Sequence, residues 1–428
     1  MNFSYKIFIY TSMMFLLSCG PDEIVQYFEY TDHNVLNIGS QLTDLVITSD
    51  SNTLIAADKG NNQVRFIDVS TDKMSIIANV LVGSEPSSLE LTADGQHLLV
   101  GLQGAASVAV VSVLDMELLG SIQLDDDGVY DIEYINSTDQ LIVSFVSSNP
   151  AYNKTQIYGW IGISWDDSEG ICDAEGTCDI NTIDQEACEL TAGIWTAFST
   201  KLICEDSGST WFSDYIVELE APFSYVNYAG PISISDDEQY IYILDKYNGP
   251  PYRVYRYDIT AEGLKNKINS SNIADGPVSL HDIEYVPDFG IVVAIGGTDF
   301  IDNSDLDHSS VYDLNDLNHI ANFDIGSTPL AITYDHVGNH IYISPADVDD
   351  NGMFIIEYSI QTQLQTNYYQ VAGRLGSHAL VVDPQGEYLY AAVDDLSDQD
   401  THEPYNGSSF NIQRIKVLPE GSFPINDF

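Results

Sequence analysis

Basic residues are scarce in this 428-residue sequence. It contains 14 Lys and Arg against 65 Asp and Glu, which gives a formal net charge of -51. Binding to nucleic-acid phosphates needs clustered Lys and Arg, so the composition excludes nucleic acid as a class of partner. It also disfavours electrostatic attraction to anionic lipid headgroups. Because 44% of the residues are hydrophobic and 11% aromatic, the acidic chain can still bury a core.

The apolar run near the N-terminus, Ile7 to Leu17, is too short to cross a bilayer. As a helix it would rise about 16 Å, against a hydrocarbon core of ~30 Å. Its length and the basic Lys6 before it are typical of a secretory signal peptide. The run ends in Leu16-Leu17-Ser18-Cys19, which resembles the lipobox of bacterial lipoproteins. The resemblance implies removal of residues 1–18 and acylation of Cys19, with a plain signal peptide as the alternative.

The residues after Cys19 refine the expected location. Gly20, rather than Asp, follows the cysteine, as in lipoproteins that are released to the outer membrane. Asp22 and Glu23 resemble the surface-export signals of some lipoproteins. We therefore expect a lipid-anchored protein of the cell envelope, in the outer membrane and facing either side, with residues 19–33 as its tether. Acyl chains can anchor a protein stably without a basic patch.

The body of the chain repeats one pattern: a small residue, an apolar strand, a polar turn and a second apolar strand. Most repeats are 44 to 51 residues apart, which is typical of a β-propeller with four strands per blade. An open β-solenoid or two sandwiches is the alternative. The seven starting residues are Ser40, Ser84, Gly128, Gly230, Gly276, Ser327 and Ser377.

The predicted fold is all-β: a seven-bladed β-propeller of four-stranded antiparallel blades over residues 34–418. Only three strands are predicted for the last blade, so we expect Asn34–Ile38 to add the fourth and close the ring. Closing the ring removes exposed sheet edges. Residues 419–428 are left as a C-terminal tail.

Three segments resemble the YVTN-type repeat, in which a P-x-x-hydrophobic stretch and a turn precede a V-x-V-(I/V)-D strand. They are Pro86–Gly95, Asp383–Gly386 and Val64–Val69. The resemblance implies a fold similar to surface-layer and lactonase-like seven-bladed propellers. It carries little information on function, because one fold hosts many activities.

One repeat interval, of 102 residues, contains an acidic insertion over residues 150–220 in the third blade. In an exported protein its four Cys indicate two disulfides, with sequential pairing preferred among three possible pairings and a zinc site as the rival. Its four Trp are candidates for binding a partner, or else they pack around the disulfides. These residues are Trp160, Trp165, Trp195, Trp211, Cys172, Cys178, Cys188 and Cys204.

Aligning the blades on their first strands brings several polar residues to equivalent positions. First strands line the central channel of a propeller, so these residues are expected at one channel mouth. His and Asp together suit a divalent metal that activates water to hydrolyse a lactone or ester, with hydrogen-bonded structural residues as the alternative. The residues are His281, His378, Asp44, Asp131, Asp282 and Tyr130.

A second candidate metal site lies between two predicted strands. Asp347, Asp349 and Asn351, followed by Gly352, fit the first half of a calcium loop. The twelfth position is Tyr358 rather than Glu, so the segment is not an EF-hand. Calcium is the one cofactor expected, and a solvated turn is the alternative.

Catalytic signatures are missing: there is no G-x-S-x-G, H-E-x-x-H or Walker motif. We therefore expect a lipid-anchored scaffold that binds a protein, peptide or glycan at the cell envelope. A lactonase-like hydrolase with its site at the channel mouth is the alternative, and catalysis is left open.

Overall fold

The computed structural model of the protein describes most of the chain from Val35 to Pro419. The signal peptide, Cys19 and the predicted calcium ligands Asp347, Asp349 and Asn351 lie outside the described residues. Within those residues, no helix has the length and apolar character needed to cross a membrane. The described ranges are 35–124, 128–137, 140–146, 228–245, 252–260, 263–271, 273, 278–297, 308–324, 329–345, 353–371, 375–394 and 410–419, with strand segments of the third blade between 154 and 226.

The strands follow one another in seven antiparallel groups. The strands of the first three groups and of the insertion, preceded by β1 of the seventh group, are β1 (Val35–Asn37), β2 (Leu42–Ile47), β3 (Thr53–Asp58), β4 (Gln63–Asp68), β5 (Ser75–Leu81), β6 (Pro86–Leu91), β7 (His97–Leu102), β8 (Ser107–Ser112), β9 (Glu117–Gln123), β10 (Gly128–Ile135), β11 (Gln140–Val146), β12 (Lys154–Ser164), β13 (Gly170–Cys172), β14 (Gly176–Cys178), β15 (Trp195–Ala197), β16 (Trp211–Ser213), β17 (Ile216–Leu219) and β18 (Ser224–Val226). A short 3-10 helix, Lys59–Asn61, joins β3 to β4.

The remaining four groups complete the described strands. They are β19 (Ile232–Ile234), β20 (Tyr240–Leu244), β21 (Val254–Thr260), β22 (Gly263–Asn269), β23 (Val278–Val286), β24 (Gly290–Gly297), β25 (His308–Tyr312), β26 (His319–Asp324), β27 (Pro329–Asp335), β28 (His340–Pro345), β29 (Met353–Ser359), β30 (Leu364–Val371), β31 (Leu375–Val382), β32 (Tyr388–Asp394) and β33 (Phe410–Lys416).

The blades close into a ring. The first strand of each blade contacts the first strand of the next, in the order β2, β6, β10, β19, β23, β27 and β31, and β31 contacts β2 again. The outermost strand of the seventh blade is β1, which pairs with β33 so that Leu36 lies opposite Ile412. The predicted seven-bladed all-β propeller is thereby confirmed.

The core of the described residues is divided into seven clusters, each between two neighbouring blades. In β3, for example, Leu54 packs between the seventh and first blades, whereas Ile55 packs between the first and second. Both faces of an inner strand are therefore buried. This explains why these strands appear in the sequence as nearly continuous apolar runs rather than as a strict alternation.

The hairpin turns between first and second strands repeat one hydrogen-bond pattern. In the second blade the Thr92 hydroxyl donates to Asp94, and the His97 N–H donates to the Thr92 hydroxyl. Gly95 follows with φ +67°, a left-handed conformation that glycine adopts without a steric cost. Asp383 and Gly386 form the corresponding turn in the seventh blade.

The insertion leaves the propeller between the third and fourth strands of the third blade. β12 pairs with β18 near its start and with β17 near its end. Within the insertion β13 pairs with β16 and β14 with β15, so the described backbone forms nested antiparallel pairs. Cys172 lies opposite Trp211 and Cys178 opposite Trp195. The side chains of the predicted disulfides and tryptophans lie outside the described residues, as do Trp165, Cys188 and Cys204 entirely.

Candidate site in the central channel

The predicted channel-mouth residues lie at a repeated irregularity of the innermost strands. The pairing register of the first and second strands shifts by one residue at Thr43, Ser87, Tyr130 and His281, each the residue before the aligned Asp or Ser. Such a β-bulge changes the direction of the side chains that follow it. His378 lies in β31, and its side chain is outside the described residues.

The three aligned aspartates connect neighbouring blades. Asp44 accepts hydrogen bonds from the N–H of Leu45 in its own blade and of Leu89 in the next blade, both at 2.7 Å. Asp131 and Asp282 repeat this arrangement, and their partners in the next blades are Ile232 and Ile332, at 2.9 and 2.8 Å. Each carboxylate therefore satisfies two backbone donors, one on each side of a blade junction.

The bulged residues at the first two junctions add bonds in the opposite direction. The Thr43 hydroxyl donates to the carbonyl of Pro86, and the Ser87 hydroxyl donates to the carbonyl of Val129, both at 2.9 Å. Across the described residues, no group of three His, Cys, Asp or Glu side chains has the geometry to hold a metal ion. The three aspartates therefore have a structural role at the blade junctions.

Three glutamates face the channel axis two residues after the aligned position. Glu90, Glu133 and Glu284 are half-buried, and each lies between two apolar or aromatic neighbours in its strand. Burial raises the pKa of Glu90 to about 8, and the charges of Asp44 and Asp131 add to the effect. A carboxyl with this pKa is mostly protonated at neutral pH.

The charges of the other two glutamates act on Glu133. Burial raises the pKa of Glu133 well above its usual range, and the nearby Glu90, Asp131 and Glu284 raise it further. The pKa of Glu284 is also raised well above its usual range, by burial and by Asp282 and Asp236. The channel therefore contains a group of carboxyls whose pKa values are raised by partial burial and by nearby like charges.

A cavity of about 430 Å³ opens where the channel meets one face of the ring. We call it the axial cavity. Its polar lining consists of Glu90 and of Asp335, His336 and Asp383, which lie where the first strands of the sixth and seventh blades run into their turns. Its apolar walls are formed by Val46, Ile47, Leu91, Tyr334, Val381, Val382 and Pro384.

The axial cavity was not predicted from the sequence. Aligning the blades on their first strands placed the channel mouth at the starts of those strands. The cavity lies at their opposite ends. The same alignment nevertheless contained a signal, because Val46, Glu90 and Val381 are equivalent and all three line the cavity. A glutamate between apolar or aromatic neighbours, repeated in three blades, is unusual unless the position faces a shared channel.

Comparison with known proteins supports the fold and leaves the function open. The chain is similar to the WD40 repeats of RRP9, with a TM-score of 0.54 and 10% identity over 90% of this chain and 98% of that one. It is also similar to hydrazine synthase of Kuenenia stuttgartiensis, with a TM-score of 0.51 and 16% identity over 91% and 99%. For U3-55K the TM-score is 0.54, with 11% identity over 90% and 99%.

At these identities the solved structures show a propeller with WD40-like neighbours and nothing finer. No protein family profile and no curated protein matches the sequence.

Proposed function

We propose that the protein is a lipid-anchored binding scaffold of the bacterial cell envelope, and that its axial cavity takes a polypeptide segment carrying a basic side chain. The observation that carries the proposal is the lining of the cavity, in which apolar walls surround an acidic group of side chains. A volume of about 430 Å³ is within the range of ordinary ligand pockets. The lipobox-like Cys19 motif supports the membrane anchor.

The chemistry of the cavity matches a lysine side chain. Its methylene stem can lie along Val46, Leu91 and Val381, and its ammonium can reach the carboxyl of Glu90. The net charge of -51 attracts cationic partners from a distance and raises their association rate. A rigid ring that carries its recognition groups on turns is a common design for binding proteins.

The test uses the full-length protein in detergent and three labelled peptides of identical length, Leu-Lys-Leu, Leu-Gln-Leu and Leu-Glu-Leu repeats, with binding followed by fluorescence anisotropy. At pH 8.5, where Glu90 is mostly ionised, we expect the lysine peptide to bind and Glu90→Gln to weaken it about tenfold, as for loss of one charged contact. Glu117→Gln is the matched control, because Glu117 is exposed on the outer strand β9 and its removal changes the net charge equally.

The pH dependence of peptide binding provides a second test of the proposal. A bound ammonium favours the ionised form of Glu90, whose pKa is about 8 in the free protein. Affinity for the lysine peptide should therefore rise by up to about tenfold per pH unit as the pH increases towards 8, and level off above it. Equal binding of the lysine and glutamine peptides, or equal binding by wild type and Glu90→Gln, contradicts the proposal. Lactone hydrolysis that is lost in His281→Ala would favour the hydrolase alternative instead.

A further inference from the structure

A second cavity lies between the fourth and fifth blades, on the same face of the ring as the axial cavity. We call it the interblade cavity; its volume is about 360 Å³. Its lining combines the aromatic rings of Tyr240, Tyr285 and Phe289 with the carboxylates of Asp237, Asp288 and Asp313. These residues come from hairpin turns and the adjacent strand ends of both blades, so a ligand here would contact the two blades together.

Arg256 provides the positive charge of the interblade cavity. Its Nη1 donates to the carbonyls of Leu314 and Asn315, at 2.5 and 2.8 Å, and its guanidinium lies 4.6 Å from the centre of the Tyr240 ring. These contacts fix the guanidinium across the blade junction. Among the described residues, no acceptor is paired with its Nη2, and Arg256 lines the cavity, so the guanidinium has donor capacity left for a ligand.

The junction between the seventh and first blades contains the same arrangement of an Arg over a Tyr ring, but there Nη2 has an acceptor. Arg414 lies over the ring of Tyr388, as Arg256 lies over that of Tyr240. There Nη1 donates to the carbonyls of Val69 and Thr71, and Nη2 donates to the carbonyl of Asp72. Both junctions therefore share the Arg–Tyr pair, which has a structural role. The two junctions differ in Nη2, which is bonded in Arg414 and, among the described residues, has no paired acceptor in Arg256.

The carboxylates of the cavity also retain free capacity. Oδ1 of Asp237 accepts from the Ser235 hydroxyl and the Gln239 N–H, and Oδ1 of Asp313 accepts from the N–H groups of Asn315 and Asp316. In each case these bonds leave Oδ2 as an open acceptor. The cavity therefore presents open donors and acceptors beside aromatic faces.

We propose that the interblade cavity binds a neutral saccharide unit. Arg256 needs an acceptor and the carboxylates of the lining need donors, so a ligand of a single charge sign satisfies only part of the cavity. The complementary ligand must both accept from the guanidinium and donate to carboxylates, which a pair of adjacent hydroxyls does. The apolar C–H face of a sugar ring fits against an aromatic side chain such as Tyr285. The inference is independent of the proposed peptide site.

Asp288 allows binding to be separated from folding. It occupies the third position of a turn after Pro287 and has φ +58°, a conformation that Asn and Gly adopt more readily than most residues. Asp288→Asn and Asp288→Gly should therefore leave the melting temperature unchanged or raise it. Both remove the carboxylate, and we expect each to weaken saccharide binding about fivefold, as for loss of one polar contact.

The experiment uses the full-length protein and titration calorimetry with three oligosaccharide series: neutral chitin, cello- and manno-oligosaccharides, cationic chitosan oligomers and anionic oligouronides. We expect a neutral series to bind best, and Tyr240→Ala to weaken it about tenfold, as for loss of an aromatic contact. Tyr388→Ala is the matched control, since it removes an equivalent ring from under Arg414 at the other junction. It should change affinity less than twofold.

Each remaining outcome overturns the proposal. These are binding of none of the sugars, a preference for a charged series, or equal loss in Tyr240→Ala and Tyr388→Ala, which would indicate a purely structural effect. Glu90→Gln should leave saccharide binding intact. That result separates this site from the peptide site, because failure of one leaves the other standing.

Discussion

The channel glutamates hold protons that the unfolded chain would release. Glu90 has a pKa of about 8 in the folded protein, against an ordinary value of 4.5, and the pKa of Glu133 is raised as well. Between these values the folded state binds more protons than the unfolded state, so stability falls as pH rises. The hairpin carboxylates of Asp50 and Asp94 have lowered pKa values, so their contribution is lost only as the pH falls through those values.

We therefore predict that the melting temperature is higher at pH 5 than at pH 8.5. Glu133→Gln should raise it at pH 8.5 and flatten the dependence, because the amide needs no proton to remain neutral. Differential scanning calorimetry at matched ionic strength provides the measurement, and Glu117→Gln on the exposed rim is the control. A wild-type melting temperature that is constant or rises from pH 5 to 8.5 would contradict this explanation.

At the scale of the strands, the innermost aspartates form hydrogen bonds that join neighbouring blades. Asp282 is 6% exposed and accepts from Ile283 in its own blade and Ile332 in the next, so its removal leaves two buried N–H groups without a partner. We predict that Asp282→Ala lowers the free energy of unfolding by about 3 kcal/mol, and Asp282→Asn by about half as much, because one acceptor oxygen remains.

Denaturant unfolding of both variants checks this prediction. Asp72→Ala, on an exposed turn, should change the free energy by less than about 0.5 kcal/mol. The ring should still form in Asp282→Ala, since Ala331 and Ala379 occupy the equivalent position in the two blades that follow. A cost for Asp282→Ala as small as that of the control would show that the carboxylate does not stabilise the junction.

Strand-level patterns explain what the sequence could and could not predict. Each blade is a local unit of apolar strands and polar turns, so the repeat alone gave seven blades, and the alignment brought Asp44, Asp131 and Asp282 to one structural position. Their role could not be derived, because it depends on the backbone of the next blade. Glu90 and Glu133 were overlooked for the same reason: their carboxyls interact only after the ring has closed.

At the scale of the whole molecule, repulsion between acidic residues opposes the stabilisation that the interblade core clusters provide. Seven separate interblade clusters hold the described ring together, while a formal charge of -51 repels across it. Some of the few basic residues lie at junctions: Arg414 spans the ring closure, and Lys59 bonds to Gln103 and lies 3.3 Å from Glu85 of the second blade. Most of the acidic surface therefore lacks a compensating cation.

Salt should consequently stabilise the protein. The screening length falls from about 30 Å at 0.01 M to about 3 Å at 1 M, which removes most of the repulsion between blades. We predict that the melting temperature rises by roughly 5 °C or more in sodium chloride over this range. Calcium chloride at matched ionic strength is the control. An equal rise in melting temperature indicates screening alone. A larger rise in melting temperature at millimolar calcium indicates a specific site such as the Asp347 segment. A melting temperature that does not respond to either salt would show that the acidic surface carries no net repulsion in the folded state.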